Sequence, residues 1–254
     1  MTLTLVVDCG GGGLKAGVLD SGARLVGESV RVPTPYPFST ELFRQTLTDL
    51  ARAFPRADRA TVGVPGMVRH GVVLSTPHYV TGEGPGTAEH PDLLDQWSGF
   101  DAHAALEDAL GVATIVLNDA EVHAAGAITG SGLELVLTLG TGLGCAWTDA
   151  GRLAPHLELS QAQVSPGTTY DDFVGERARQ RLGDVAWRAR VVESVDALRP
   201  VFAWDHLYLG GGNAARLGSA EADAWGPGVS LVPNATALAG GVRAWELGFG
   251  RDHP

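Results

Sequence analysis

Residues 115–127 read IVLNDAEVHAAGA, and this stretch changes from a strand pattern to a helix pattern at Asn118–Asp119. Ala113–Leu117 is a short apolar run containing β-branched residues, which predicts a buried strand. Ala120–Ala127 is rich in alanine and has an acidic first turn, which predicts the start of a helix. Asp119 is therefore expected at the carboxyl end of a strand and the amino end of a helix, where α/β proteins bind ligands.

Two roles for Asp119 are open at this point. The helix dipole favours an ionised carboxylate at this position, so Asp119 is a candidate base that stays charged at neutral pH. The same carboxylate could instead serve only to cap the helix. Glycine-rich segments lie on both sides of Asp119 in the sequence. They favour the first role, because such segments allow a backbone to approach a ligand closely.

The first glycine-rich segment joins the predicted strands Leu3–Asp8 and Leu14–Leu19. Its spacing formally matches the dinucleotide fingerprint, but that motif must open a helix, and here an alternating strand pattern follows. A hairpin whose backbone N–H groups bind phosphate fits better. Lys15, the only lysine in the sequence, lies just beyond the turn and is a candidate phosphate ligand.

Two further segments have related patterns. Strand Glu134–Leu139 leads into LTLGTGLGCAW (residues 137–147), which repeats the order of apolar strand, glycine turn and apolar strand. This repeat predicts two related halves that each offer a phosphate loop. Strand His206–Leu209 ends in Gly210–Gly211–Gly212–Asn213 before a helix start, which is a candidate site for adenosine or another phosphate-bearing group.

The rest of the chain predicts a mixture of helices, strands and one long loop. The predicted elements are strand Arg24–Val32, a helix from Ser39 or Thr40 to about Phe54, strand Ala60–Val64, extended Gly71–Leu74, loop Thr81–Gln96, helix Asp101–Leu110, extended Leu153–Val164, helices Tyr170–Leu182 and Asp184–Leu198, strand Ser230–Val232 and helix Ala235–Leu247. The long loop is either a mobile flap near the substrate or a surface insertion. Five arginines on the two adjacent helices form either a solvated surface or a local binding site for a phosphate chain: Arg177, Arg179, Arg181, Arg188 and Arg190.

Composition limits the classes of function. The 254 residues are 44% hydrophobic and 19% charged, which is typical of a globular protein. The formal net charge of −11 disfavours nonspecific binding to nucleic acid or anionic membranes. Cys9 and Cys145 are the only cysteines and are expected to be small buried thiols, so a cytoplasmic location is predicted. Neither a signal peptide nor a membrane span is expected from the sequence pattern.

Together, these motifs resemble those of the actin-like sugar-kinase superfamily, and within it the ROK family and its polyphosphate/ATP glucokinase branch. The first phosphate motif, D-x-G-G-[TS]-x-x-K, is matched by Asp8, Gly10, Gly11 and Lys15, with Gly12 where a hydroxyl residue is usual. The other matches are Pro65, Gly66 and Val68 for PG-x-V, Asn118–Ala120 for N-D-A, Leu137–Gly144 for the second phosphate motif, and Gly210–Gly212 for the adenosine-side glycines.

The resemblance implies an α/β, two-lobed actin-like or ribonuclease H-like fold with a central cleft. One lobe would comprise residues 1–117 plus 235–254, and the other residues 118–234. Asp119 would accept the proton of a hexose hydroxyl as it attacks the terminal phosphate of ATP or polyphosphate, with Mg²⁺ positioned partly by Asp8. The implied substrate-binding residues are Gly66, Asn118, Glu158, Gln161 and Gln163. The implied phosphate- or nucleotide-binding residues are Asp8, Gly10, Gly11, Gly12, Lys15, Thr138, Gly140, Thr141, Gly142, Gly210, Gly211, Gly212 and Asn213. A homodimer is also implied.

The sequence departs from this branch at its sugar segment. The branch's E-L-G-H-L-E aligns with Glu158–Gln163, so its histidine and second glutamate are replaced by Gln161 and Gln163. If this stretch is extended, the two glutamines share one face, and Glu158 joins them only if the chain bends near Ser160. We therefore expect weak glucose binding or a differently substituted sugar. A kinase for another sugar and a non-catalytic binding protein remain alternatives. The structural zinc of many ROK kinases is not expected, because their cysteine cluster is missing.

Overall fold

The computed structural model describes residues 2–233 and 236–250. The chain divides into two compact units, unit 1 of residues 1–126 and 237–254 and unit 2 of residues 127–236. The boundary lies after Gly126 and not before Asn118 as the sequence predicts, because the strand that ends at Asn118 pairs with residues 59–64 of unit 1. Ala235, at which the second part of the predicted first lobe begins, lies outside the described residues, as do residues 251–254.

Unit 1 is built on a five-stranded sheet of order β3-β2-β1-β4-β8. Its strands, together with those of a small β5-β6-β7 sheet, are β1 (Thr4–Gly10), β2 (Gly13–Leu19), β3 (Val30–Val32), β4 (Arg59–Val64), β5 (Met67–Arg69), β6 (Val72–Ser75), β7 (Phe100–Asp101) and β8 (Ala113–Asn118). The β1–β2 hairpin is antiparallel, whereas β4 and β8 run parallel to β1. The carboxyl ends of β1, β4 and β8 therefore share one edge of the sheet.

Four helices follow within residues 40–127, namely α1 (Thr40–Ala51), α2 (Pro91–Trp97), α3 (Ala102–Leu110) and α4 (Asp119–Ala127). The predicted helix starts at Ser39–Thr40 and Asp101 are confirmed, since Ser39 accepts from Leu42 N and Asp101 accepts from Ala104 N. Gly111 ends α3 with φ 64°, a conformation that favours glycine.

Two predictions in unit 1 are wrong in part. The strand predicted over Arg24–Val32 begins only at Val30, because Ala23 (φ 57°) and Gly27 (φ 90°) interrupt the extended backbone. The predicted loop Thr81–Gln96 contains most of α2, whose Trp97 is buried and donates from Nε1 to Phe38 O (2.7 Å). Burial of that indole stabilises a helix that its polar sequence does not indicate.

Unit 2 has a sheet of order β11-β10-β9-β14-β15. Its strands, with the separate β12–β13 pair, are β9 (Leu133–Leu139), β10 (Leu143–Asp149), β11 (Arg152–Leu153), β12 (Gln163–Ser165), β13 (Thr168–Thr169), β14 (His206–Gly210) and β15 (Val229–Leu231). Strand order and directions repeat those of unit 1: an antiparallel pair leads into two parallel strands. The internal repeat predicted from the glycine turns is confirmed at the level of the sheets.

The helices of unit 2 are α5 (Tyr170–Val174), α6 (Glu176–Phe202) and α7 (Ser219–Trp225), with 3-10 turns at Leu159–Gln161 and Ala214–Arg216. Gly183 has φ 77° inside α6, so the predicted break between two helices is present as a kink. A second break, at Gly175, is not predicted by the sequence.

The last helix, α8 (Thr236–Leu247), returns to unit 1. Side chains added at Gly240 or Gly241 would overlap the Val122 carbonyl or the Val6 side chain, so α8 packs closely against α4 and β1. No helix among the described residues is long and apolar enough to cross a membrane.

Candidate active site

At the start of α4, helix capping and the candidate base are provided mainly by different residues. Asn118 is the last residue of β8, and its Oδ1 accepts from Ala120 N (2.8 Å). The Glu121 carboxylate accepts from Asn118 N (2.9 Å), which completes a reciprocal capping arrangement. Asp119 is the first residue of α4 and is half-buried, and its Oδ1 also lies 3.0 Å from Ala120 N. The capping role that the sequence left open for Asp119 therefore belongs mainly to Asn118 and Glu121.

Glycines on the neighbouring strand fix the position of these residues. A Cβ at Gly63 would lie 3.1 Å from Asp119 Cα, so β4 and the start of α4 approach as closely as glycine allows. Gly66 has φ 107°, and a Cβ there would overlap the backbone at Ser75. Its carbonyl accepts from Asn118 Nδ2 (2.9 Å), so one amide hydrogen of Asn118 binds the Gly66 turn.

The first glycine turn lies at the end of β1. Asp8 pairs with Lys15 across the hairpin, and Gly10 pairs with Gly13, which leaves Gly11 and Gly12 at the turn. Burial raises the pKa of Asp8, and the charges of Lys15 and Arg31 oppose this rise. Burial raises the pKa of Cys9 well above its usual range, and both Asp8 and Asp119 add to the rise. The carboxylates of Asp8 and Asp119 therefore both lie close enough to Cys9, in the interior of unit 1, to raise its pKa.

Side chains from later loops contact this turn. Tyr36 Oη donates to Gly11 O and Thr34 Oγ1 donates to Gly10 O, each over 2.8 Å. A Cβ at Gly11 would lie 3.1 Å from the ring of His78, whereas Gly12 is exposed. Tyr79 is fully buried, and among the described residues its hydroxyl has no hydrogen-bond partner.

The second glycine turn, Gly140–Thr141–Gly142, is supported by α5. Thr138 pairs with Gly144 and Leu139 with Leu143 across the β9–β10 hairpin. Asp171 Oδ1 accepts from Leu143 N (2.8 Å), and any side chain at Gly142 would overlap this carboxylate. Burial raises the pKa of Asp171 to about 6; the Leu143 N–H opposes the rise, and the charges of Glu158 and Asp172 add to it.

The third glycine segment contacts the second turn directly. A Cβ at Gly211 (φ 86°) would lie 2.5 Å from Leu139 O, and Asn213 N donates to the same carbonyl (2.9 Å). Asn213 Nδ2 donates to Glu176 Oε2 (2.8 Å), and Glu176 N donates to Gly140 O (3.0 Å). Hydrogen bonds from Arg179 lower the pKa of Glu176 to about 2. Hydrogen bonds therefore connect the start of α6 to both the second turn and Gly210–Asn213, all within unit 2.

The sugar segment bends where the sequence analysis assumes an extended chain. A 3-10 turn at Leu159–Gln161 separates Glu158 from β12, so Gln161 and Gln163 do not share the face of one strand. Both glutamines are exposed, and Gln161 Nε2 donates to Ser160 Oγ (3.1 Å). The expectation of a shared face is wrong, because the turn changes the side-chain direction at Gln161.

Arg179, Arg188 and Arg190 contact other protein groups. Arg179 donates to Glu176 and Asp184 at 2.6–2.8 Å, and Arg188 lies 3.7 Å from Glu221. The Arg190 guanidinium lies 4.5 Å from the centre of the Phe173 ring. This cluster is therefore mostly structural.

The residues that the sequence analysis missed are partners of the glycine turns from distant parts of the chain. Tyr36, Asp171 and Glu176 each bind a turn or its flanking strand. The only local signal is the Thr169-x-x-Asp172 capping box, which marks the start of α5 next to Asp171.

The chain is similar to known kinases over most of its length. It is 27% identical over 243 residues to the polyphosphate glucokinase of Mycobacterium tuberculosis, covering 91% of this chain and 83% of the relative. The polyphosphate glucokinase of Mycobacterium leprae is 28% identical over 252 residues, covering 91% of this chain and 68% of that protein. The inorganic polyphosphate/ATP-glucomannokinase of Arthrobacter sp. strain KM superposes with a TM-score of 0.78 at 26% identity, covering 98% of this chain and 99% of that structure. The resemblance to the ROK-family sugar kinases is confirmed.

The fold is similar to that of ROK kinases. A ROK family glucokinase from Streptomyces griseus, solved with glucose and AMPPNP, superposes with a TM-score of 0.72 at 18% identity, covering 94% of this chain and 97% of that structure. No protein-family model matches the sequence. The ROK motifs named above fall on the β1–β2 turn, the β8–α4 junction, the β9–β10 turn and the end of β14.

Proposed function

We propose that the protein is a sugar kinase that transfers a phosphoryl group from ATP or polyphosphate to a hydroxyl of a hexose, glucose in the first instance. The observation that carries the proposal is the β8–α4 junction. There Asn118 and Glu121 cap the helix, and Asp119 places a half-buried carboxylate at the same helix start. The similarity to polyphosphate glucokinases and to a polyphosphate/ATP-glucomannokinase supports the substrate classes.

In this proposal Asp119 is the general base. It accepts the proton of the sugar hydroxyl as that oxygen attacks the terminal phosphorus, and the bond from phosphorus to the leaving phosphate oxygen breaks. A positioned base typically supplies ~10²–10⁴-fold of rate. Asn118 contributes by holding the Gly66 turn and by offering its second amide hydrogen to a neighbouring sugar hydroxyl. Glu158 is the second proposed sugar ligand.

The phosphates are assigned to the glycine segments. In unit 1 these are Gly10, Gly11 and Gly12 with Lys15, and in unit 2 Thr138, Gly140, Thr141 and Gly142. Glycine turns suit this role because their backbone N–H groups approach phosphate oxygens without side-chain interference. The part of the phosphoryl donor far from the transferred phosphate, which is adenosine when the donor is ATP, is assigned to Gly210, Gly211, Gly212 and Asn213.

The residues available to bind a metal suit a magnesium ion that is held mainly by phosphate oxygens. Mg²⁺ in kinases binds one or two carboxylates, water and substrate phosphates. Among the described residues, no group of three or more His, Cys, Asp or Glu side chains is placed to enclose a metal. Asp8, at the first turn, is the carboxylate we assign to the ion. When bound, the ion would offset negative charge on the transferring group.

A coupled assay tests the function. The wild-type protein is supplied with glucose, mannose and amino sugars, each with ATP or with polyphosphate, and sugar phosphate is measured. Phosphorylation of glucose by either donor is the expected result. Activity confined to another sugar would replace glucose as the proposed substrate. Sugar or nucleotide binding without turnover would overturn the proposal in favour of a non-catalytic binding protein.

We further propose that the protein is a cytoplasmic homodimer. Cys9 and Cys145 are both buried, which suits a reducing compartment. The dimer rests on the family resemblance, and light scattering coupled to gel filtration tests it.

A further inference from the structure

Glu158 lies between two side chains that each contact one of its carboxylate oxygens. Ser160 Oγ donates to Glu158 Oε1 (2.5 Å), and His156 Nε2 lies 3.5 Å from Glu158 Oε2. The side chains of His156 and Glu158 are only 2% and 16% exposed. Gln161 extends this network, since its Nε2 donates to Ser160 Oγ (3.1 Å).

This network occupies the segment in which the sequence departs from its kinase relatives. Ser160 stands at the glycine of the branch's E-L-G-H motif, and Gln161 stands at its histidine. The serine hydroxyl supplies a donor to Glu158 that glycine cannot supply. A buried carboxylate needs such partners, because burial without hydrogen bonds strongly disfavours the charge.

The electrostatics place Glu158 near the second glycine turn of the same unit. The negative charge of Glu158 contributes to the raised pKa of Asp171, whose carboxylate binds Leu143 N at that turn. Glu158 is therefore oriented by its neighbours in a region that also contains a proposed phosphate loop.

We propose that His156 and Ser160 are positioning residues that fix Glu158 for the sugar hydroxyls. This inference rests on the proposed function. In it, His156 does not touch the sugar. It restricts Glu158 to one orientation, and Gln161 supports Ser160 through its hydrogen bond to the Ser160 hydroxyl.

The test is a double-mutant cycle on the full-length protein between His156→Phe and Glu158→Ala. We expect His156→Phe alone to raise the KM for glucose by about 10-fold or more, with the KM for the phosphoryl donor unchanged and kcat within about 3-fold. In the Glu158→Ala background the same substitution should change the glucose KM by less than about 2-fold, because there is no carboxylate left to position. His156→Gln keeps an N–H donor and should recover part of the loss. If the phenylalanine variant does not fold, the glutamine variant completes the same cycle.

His206→Phe is the matched control. His206 lies in the same unit and contacts Ser230 Oγ (3.0 Å) and the Tyr208 ring, so it reports a general effect of removing a half-buried histidine. Its glucose KM should stay within about 2-fold of wild type. Additive effects of His156→Phe and Glu158→Ala, or equal increases in both KM values, would overturn the inference and leave the kinase assignment standing. A wild-type protein that neither phosphorylates nor binds any sugar would overturn both.

Discussion

Asp171→Asn should stabilise the protein more at alkaline pH than at acid pH. Burial raises the pKa of Asp171 from 3.8 to about 6, so the folded protein binds this proton more tightly than the unfolded chain does. Stability is therefore lost as pH rises from about 4 to about 6, and the loss persists above that range. A shift of roughly 2 units corresponds to ~3 kcal/mol at most. Partial exposure of the side chain reduces the expected gain to about 1–3 kcal/mol.

The asparagine keeps the structural contact and removes the charge. Its Oδ1 can still accept from Leu143 N, which lies 2.8 Å from the carboxylate oxygen. Urea unfolding followed by tryptophan fluorescence at pH 8 and pH 4.5 measures the difference in unfolding free energy. Buried Trp187, whose Nε1 donates to Val174 O at the end of α5, is a probe in the same unit.

The control for this experiment is Asp172→Asn. Asp172 is exposed and caps α5 through Thr169, and its charge only adds to the raised pKa of Asp171, so its substitution should stabilise the protein at pH 8 by less than Asp171→Asn does. A gain from Asp171→Asn that is equal at both pH values would show that charge burial is not its source. A loss at pH 8 would show that the charged hydrogen bond to Leu143 outweighs the burial of the carboxylate.

Three other substitutions test unit 1. Asp119→Asn should reduce phosphotransfer at least ~10²-fold and leave the melting temperature nearly unchanged, and near-normal turnover would show that Asp119 is not the base. Asn118→Ala should lower the unfolding free energy by about 1–3 kcal/mol, because Gly66 O loses its partner and Ala120 N keeps only Asp119 Oδ1; urea unfolding measures this, and an unchanged midpoint would contradict it. Tyr79→Phe should leave stability unchanged or raise it by up to ~1 kcal/mol, since the buried hydroxyl has no partner among the described residues; a clear loss of stability in the same assay would refute that reasoning.

Sequence periodicity is sufficient to predict most strands of the two five-stranded sheets and the glycine turns. The alternating strands around Gly10–Gly13 and Gly140–Gly142 are local patterns, and the structure places a hairpin at each. Asp119 was located in the same way, because the switch from a β-branched run to an alanine-rich run lies at adjacent residues. Local information suffices when the neighbours that define a turn are also neighbours in sequence.

The hydrogen bonds that hold these turns in place could not be predicted from local sequence patterns. Asp171 binds Leu143 across 28 residues, and Asn213 binds Glu176 across 37 residues. No periodic pattern links residues so far apart, and each pair forms only after the sheet of unit 2 brings its strands together. The bend at Glu158 was missed for a different reason. Its polar residues indicate an exposed extended segment, whereas the contacts with His156 and Ser160 stabilise a turn.

The return of α8 to unit 1 has a consequence for protein synthesis. Unit 2 is one continuous segment, whereas unit 1 needs Gly240 and Gly241 to pack against Val122 and Val6. Ribosomes add about 5–20 residues per second, and domains generally fold as units during that process. Residues 1–126 therefore wait for several seconds, while unit 2 is translated, before the helix that covers β1 and α4 is available. During that interval the apolar surface of Val6 and Leu19, which Leu238 and Val242 later bury, stays uncovered by α8.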